Sequence, residues 1–476
     1  MQPIKVLLAS IALHLLPTFL LAETIADFEG GYFKMIKKDK NVYPLDIGVG
    51  SVSDGLIPLA YADINNDSYT DFISTNTAKN LLRIHLFNKV KNVFEVTQTI
   101  DFGGKSIIGV MADDMDTDNN VDLVVTFSEI PSSIDQYRLP RKVGVLLQQS
   151  GSTYGDSSSM RVTQEVPTGE PVMFQTFNDQ TKQLQTFFIL QTSSSERLVF
   201  YMDGSKNLGT MPFTNLLVTG NSNCLNYQDN VVNSQNQLDS RRGSHFIDIN
   251  GDCQPDLILQ TLDKNENQYM EFYYAVGTTG FCLVQSKLID NQNFSMAAFA
   301  DMNNDGGNDL LILSQDLTLH VFINSISADQ ENLCKTATLT DFPYQGLDSL
   351  ITPQYSAYHF FFKLQPNGVP ANRYQSSFVP GSGVIRTGDL DLDGYIDITF
   401  QYLISGDSPK VAFYQNSACS SEYIDMASKN YAGGNPDFSR CRSYNMMTDY
   451  VSIVSNPATG NQNVFSVSFF DFAELG

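Results

Sequence analysis

Apolar positions in this chain come in short bursts rather than long stripes. Leu123-Val124-Val125, Leu257-Ile258-Leu259 and Leu310-Leu311-Ile312-Leu313 each follow an acidic stretch, and runs of this length bounded by turn formers read as buried strands. The 32 Gly and 18 Pro lie among many Asn, Asp and Ser, a composition that makes turns frequent and strands short. The expected fold class is all-β.

The acidic stretches are copies of one another. The pattern D-x-[DN]-x-D-x-x-x-D occurs five times: Asp63, Asn65, Asp67, Asp71; Asp114, Asp116, Asp118, Asp122; Asp248, Asn250, Asp252, Asp256; Asp301, Asn303, Asp305, Asp309; and Asp389, Asp391, Asp393, Asp397. Oxygen-bearing side chains at alternate positions of a tight loop converge on one point, and Ca²⁺ takes six to eight oxygens in that way. The seventh position, held by Tyr69, Asn120, Gln254, Gly307 and Tyr395, varies as a backbone-carbonyl ligand allows. Turn capping alone explains Asp or Asn in one loop, but it does not require carboxylates at positions one, five and nine in every copy. Mg²⁺ gives up its waters reluctantly, so Ca²⁺ is the expected ion.

An EF-hand is excluded. Its twelfth position needs Glu, and here those positions hold Ser74, Val125, Leu259, Ile312 and Phe400. The flanks predict strand, cation loop, strand. Intervals of 51, 134, 53 and 88 residues between loop starts suit one four-stranded unit each. The longest gap is expected to hide a worn copy near residues 175–188, where Thr176-Phe177-Asn178-Asp179 precedes Leu184 and Phe187-Phe188. Counting on to Phe469-Phe470-Asp471, residues 63 to 471 span six intervals of 68, hence seven units. The expected architecture is a seven-bladed β-propeller, cut off within its seventh blade. Trp is absent, which weighs against WD-type blades.

Charge narrows the partners. With 52 acids, 29 bases, a formal charge of −23 and pI near 4.4, the chain repels phosphate backbones and is not expected to bind nucleic acid. Residues 1–22, with Lys5 before an apolar run ending at Ala22, read as a secretory signal peptide; residues 23–476 are then one propeller domain. No later stretch approaches the length of a membrane helix. Six cysteines (224, 253, 282, 334, 419 and 441) suit up to three disulfides in an oxidising lumen, with Cys419–Cys441 the expected pair. Sequons stand at Asn66 and Asn293, and the second is the expected glycan acceptor because the first falls inside a tight loop.

Ala62-Asp63, Ala300-Asp301 and Gly388-Asp389, with Ser244-His245-Phe246-Ile247-Asp248 and Asp393-Gly394-Tyr395, resemble the FG-GAP repeats of integrin α-subunit propellers. From about residue 25 onward the chain resembles the T-cell immunomodulatory protein family. That resemblance implies a type I membrane glycoprotein with a signal, a seven-bladed propeller, a further β-rich segment, one membrane helix and a short tail. The present sequence departs from it by ending at Gly476, where the seventh loop begins. A truncated gene model is expected over a clipped soluble form, since missing strands expose blade edges.

The implied function is a non-catalytic, calcium-stabilised scaffold that binds a protein partner at a cell surface. Two alternatives stand beside it. A lectin-like propeller would bind glycans through Ca²⁺ or aromatic rims; a propeller glycan hydrolase or lyase would need paired carboxylates outside the cation loops. No G-x-S-x-G, H-E-x-x-H or phosphate-binding glycine loop is present, and His85 and His320 lie in apolar strand text rather than in catalytic settings.

Overall fold

The computed structural model describes most of residues 57–326 and, beyond them, 341–347, 359–363, 385–388, 396–402, 410–418, 442–446 and 451–452, with two short strands at 34–36 and 42–44. The expected signal at 1–22, the sequon at Asn293 and the seventh motif at Asp471 lie outside the described residues.

The chain is all-β, and the described strands form six successive antiparallel sheets of four or five strands besides two two-stranded ones, Lys34–Ile36 with Val42–Pro44 and Gln148–Gln149 with Thr153–Tyr154. Sheet 1 comprises Ile57–Ala62, Asp71–Thr75, Leu81–Asn88 and Val93–Asp101. Sheet 2 comprises Ser106–Asp113, Asp122–Ser128, Lys142–Leu146 and the short Arg161–Val162. Sheet 3 comprises Val172–Asn178, Gln183–Gln191, Arg197–Met202 and Leu208–Pro212. Sheet 4 comprises His245–Ile247, Asp256–Leu262, Gln268–Val276 and Gly280–Asp290, with Gln237–Leu238 as an added fifth strand. Sheet 5 comprises Phe294–Ala300, Asp309–Ser314, Thr318–Phe322 and His359–Lys363. Sheet 6 comprises Ile385–Gly388, Asp397–Tyr402, Lys410–Ala418 and Arg442–Met446, joined by Val451–Ser452. Strands follow chain order across each four-stranded sheet. The unit expected in the 134-residue gap is therefore real: it is sheet 3.

The sheets stack in order, face to face. Side chains alternate across a strand, and the second strand of sheet 2 uses both faces: Leu123, Val125 and Phe127 pack with Ile73 and Ile84 of sheet 1, while Val124 packs with Phe188 and Phe200 of sheet 3. The second strand of sheet 4 repeats this, with Leu257 and Leu259 against Phe174 and Val199 of sheet 3 and Ile258 against Leu310 and Ile312 of sheet 5. Strands with two apolar neighbours must be apolar throughout, which is why the bursts after each loop are continuous. Sheet 6 continues the series, its first strand lying beside that of sheet 5.

Sheet 1 has no numbered predecessor, yet its far face carries a buried aromatic cluster, with Val96 at its border 41% exposed. Phe72 and Phe94 there are each 2% exposed and His85 is fully buried; His85 stacks on Phe72 at 4.1 Å between ring centroids and meets Phe94 and Phe87 through it.

Candidate metal centre

All five acidic loops are closed by the same base pair of residues. The residue before position one pairs with position nine: Ala62 with Asp71, Asp113 with Asp122, Ile247 with Asp256, Ala300 with Asp309 and Gly388 with Asp397. Each loop thus joins the first and second strands of sheets 1, 2, 4, 5 and 6. In the first three loops positions four and six have left-handed backbone: Asn66 and Ser68, Thr117 and Asn119, Gly251 and Cys253. Only glycine adopts that conformation freely, so the other five positions are held there by the loop's own polar contacts.

Position nine is the anchor. Asp71 accepts from Ile64 N (2.9 Å) and Phe87 N (2.7 Å); Asp122 from Met115 N (3.0 Å) and Gln148 N (2.8 Å). Asp256 accepts from Ile249 N (3.1 Å) and Ala275 N (2.8 Å), and Asp309 from Met302 N (2.9 Å) and Asn324 N (2.8 Å). In these four loops one oxygen takes the amide of position two and the other takes an amide within two residues of the end of the third strand. Position one folds back over the loop: Asp63 accepts from Asp67 N and Ser68 N, Asp114 from Asp118 N and Asn119 N, Asp248 from Gly251 N and Cys253 N, and Asp301 from Gly306 N. Position five takes the amide of position seven in Asp67–Tyr69, Asp118–Asn120 and Asp252–Gln254. Asn65 and Asn250 at position three point their amides at Asp67 Oδ2 (3.0 Å) and Asp252 Oδ2 (3.4 Å).

The second loop brings three carboxylates together. Oxygens of Asp114, Asp116 and Asp122 all lie within 4.8 Å of one another, and Asp118 stands outside this triad. Two unit charges about 4 Å apart at an effective dielectric near 20 repel by about 4 kcal/mol, so the cluster calls for a counter-charge. The Asp116 side chain is 1% exposed, and no donor is aligned on either of its oxygens, the nearest cation being Lys206 Nζ at 2.6 Å. An all-oxygen, anionic donor set of this kind fits a hard divalent cation. Of the remaining sequence-predicted ligands, Gly307 is a described loop residue; Asn303, Asp305, Asp389, Asp391, Asp393 and Tyr395 lie outside the described residues, as does the side chain of Asp397.

Electrostatics mark the same residues. Burial, with help from neighbouring loop carboxylates, pushes Asp71 up to about 6, Asp122 to about 7 and Asp256 to about 8, although amide hydrogen bonds oppose it. Burial likewise raises Asp252. Carboxyls raised this far are uncomfortable as anions without a cation beside them.

Neighbouring loops touch. Asn66 Nδ2 donates to Asn119 O (3.1 Å) and Gln148 Nε2 to Ile64 O (2.8 Å), linking the first loop to sheet 2. Asn308 Nδ2 donates to Asp248 O and Asn324 Nδ2 to Ile249 O, both at 2.8 Å, linking the third loop to sheet 5. The first loop is thus joined to the second, and the third to the fourth, by hydrogen bonds between neighbouring sheets.

Two charged features escaped the sequence reading. Lys206, in the turn joining the last two strands of sheet 3, places Nζ 2.6 Å from Asp116 Oδ2 and 3.1 Å from Asp118 Oδ2. The contact to Asp118 is a hydrogen bond; that to Asp116 is an ion pair by distance without hydrogen-bond alignment. Between sheets 3 and 4, fully buried Arg197 meets Glu271 at 2.6 Å and 3.1 Å. Tyr273, Asn236 and Thr261 also donate to that carboxylate. Nothing local in the sequence announces either pair. The disulfide Cys224–Cys282, with Cα atoms 5.3 Å apart, was likewise not singled out.

The histidines serve packing. His85 Nε2 lies 2.7 Å from Ser74 Oγ, and burial drives its pKa down to about 3; His320 and His359 stack within sheet 5, where burial lowers His359 to about 3 as well.

No family model matches the chain. It is similar to a protein of Plasmodium yoelii yoelii named T-cell immunomodulatory protein homolog, with 21% identity over 505 aligned residues that cover 95% of this chain. The chain spans 66% of that relative's length. No helix among the described residues is long and apolar enough to cross a membrane.

Proposed function

We propose that residues 23–476 belong to a seven-bladed propeller of FG-GAP repeats, directed to the secretory pathway by residues 1–22. It acts as a non-catalytic scaffold that holds Ca²⁺ in its acidic loops and binds a protein partner at the cell surface. The observation that carries the reading is the identical closure of five acidic hairpins. In four of them a position-nine aspartate is saturated by backbone amides, and the described position-one aspartates fold back over their loops. Such a loop is rigid before it meets any ligand, and its bound ion would be enclosed by protein oxygens. A saturated ion leaves no open position for substrate, so its role is structural.

Closure into a ring is supported by sheet 1, whose far face buries Phe72, His85 and Phe94; the end of an open stack would leave such residues wet. A rim stiffened by ions leaves the loops of the other edge free to recognise a partner. The similarity to the Plasmodium yoelii yoelii protein supports an immunomodulatory-type role.

Calcium addition to chelated protein should raise the melting temperature by several degrees, because a ligand bound only to the native state stabilises by mass action. Binding of the fluorescently labelled chain to cells should fall on chelation and return with Ca²⁺. An unchanged melt in both conditions would remove the structural ions, and cell binding indifferent to chelation would separate the adhesive role from them.

A further inference from the structure

The second acidic loop differs from the other described loops in the charge that faces it. It alone has carboxylates at positions one, three, five and nine among the three fully described loops; the first and third have Asn65 and Asn250 at position three. The extra acid, Asp116, is the one whose side chain is 1% exposed and which Lys206 Nζ approaches to 2.6 Å. The base that approaches it comes from sheet 3, the one sheet whose first hairpin has lost the acidic pattern. Its later hairpin turn is built to present that base. Asp203 Oδ1 takes the amides of Ser205 and Asn207, Asp203 N donates to Asn207 O, and Lys206 N donates to Asp203 O. Lys206 is held in a left-handed conformation at φ +59°. Arg161 Nε of sheet 2 reaches Lys206 O at 3.4 Å. A four-carbon chain that is half exposed could point anywhere into solvent; here both ends of the arrangement are fixed, and its ammonium sits between Asp116 and Asp118.

We infer that Lys206 is a tethered counter-ion of the second loop, lent by the neighbouring sheet, which neutralises Asp116 and Asp118 when no divalent ion is present and competes with that ion for them. The inference rests on the reading of these loops as Ca²⁺ sites. It makes the second loop the weakest of the described sites despite having the most carboxylates, and it lets sheets 2 and 3 stay joined at low calcium. When Ca²⁺ enters on Asp114, Asp116 and Asp122, the ammonium must yield Asp116 and turn to Asp118 or solvent.

The test is hydrogen exchange of the full chain across a series of free calcium concentrations, read on peptides spanning 63–71, 114–122 and 248–256, for wild type, Lys206→Gln and Lys206→Arg. In wild type the 114–122 peptide should gain protection at higher free calcium than the other two. Lys206→Gln should shift its midpoint down by about two- to fivefold, the scale of one exposed ion pair, and should lower its protection in chelator. Lys206→Arg should keep wild-type behaviour, and the other peptides should not move. An unchanged or raised midpoint in Lys206→Gln would overturn the inference while leaving the calcium sites intact. If no peptide responds to calcium in any variant, the calcium reading falls. Lys206→Gln must then still lose protection at 114–122 in chelator for the counter-ion role to stand, and without that loss it falls too.

Discussion

Asp256 illustrates how much a single side chain carries. Its carboxylate ties the start of the third loop to the end of a neighbouring strand, yet burial raises its pKa to about 8, and those of Asp71 and Asp122 to about 6 and 7. A carboxyl whose folded pKa lies above the ordinary 3.8 binds its proton more tightly folded than unfolded. Its contribution to stability is complete below the unfolded value and is lost as pH rises through the folded one. Ion-free protein should therefore gain stability on acidification from pH 8 toward 5. The increment supplied by Ca²⁺ should shrink over the same window, since protons and calcium compete for these oxygens. Thermal melts with calcium and with chelator at successive pH values check both slopes, and parallel curves would contradict the assignment. The aspartates were legible in the sequence because their chemistry is local: alternate oxygens within nine residues. Lys206 and its carboxylates are 88 residues apart for Asp118, and Arg197 and Glu271 are 74 apart; pairs of that kind exist only once sheets are stacked, and no period or spacing encodes them.

At the level of the hairpin, the acidic pattern forecast strand, loop and strand correctly because position nine does two jobs, starting the second strand and anchoring the loop. Sheet 3 was readable only from the length of the gap and a few apolar residues, since the sequence between Asn178 and Gln183 retains a single carboxylate, Asp179. Disulfides were less legible, because fifteen full pairings fit six cysteines. Cys419 and Cys441 lie outside the described residues, but each adjoins in sequence one member of the Ala418–Arg442 pair of sheet 6, which agrees with the expected Cys419–Cys441 bridge. Cys224 is bonded to Cys282 and Cys253 is also disulfide-bonded, so a Cys419–Cys441 bridge leaves Cys334 for Cys253. Non-reducing peptide mapping should find 224–282, 419–441 and 253–334. A 253–419 or 253–441 link would refute the expected Cys419–Cys441 pair.

For the molecule as a whole, the question is whether the stack ends or closes. Each interior sheet is apolar on both faces because it has two neighbours, and five of the six described sheets have a numbered predecessor. Sheet 1 does not, yet Phe72, His85 and Phe94 on its far face are as buried as the residues between sheets 2 and 3. In an open array the terminal repeat contacts one neighbour only and frays before the rest. In a ring no repeat is terminal. Native-state hydrogen exchange separates the two without any variant. The second-strand amides of Asp71–Thr75 should exchange as slowly as those of Asp122–Ser128, and calcium should slow both together, because loop closure holds the second strand of each. Fast exchange confined to Asp71–Thr75 would mean that sheet 1 is an end. A scaffold with a free end would also offer an aromatic face for docking, so the same measurement decides where on the molecule a partner is to be sought.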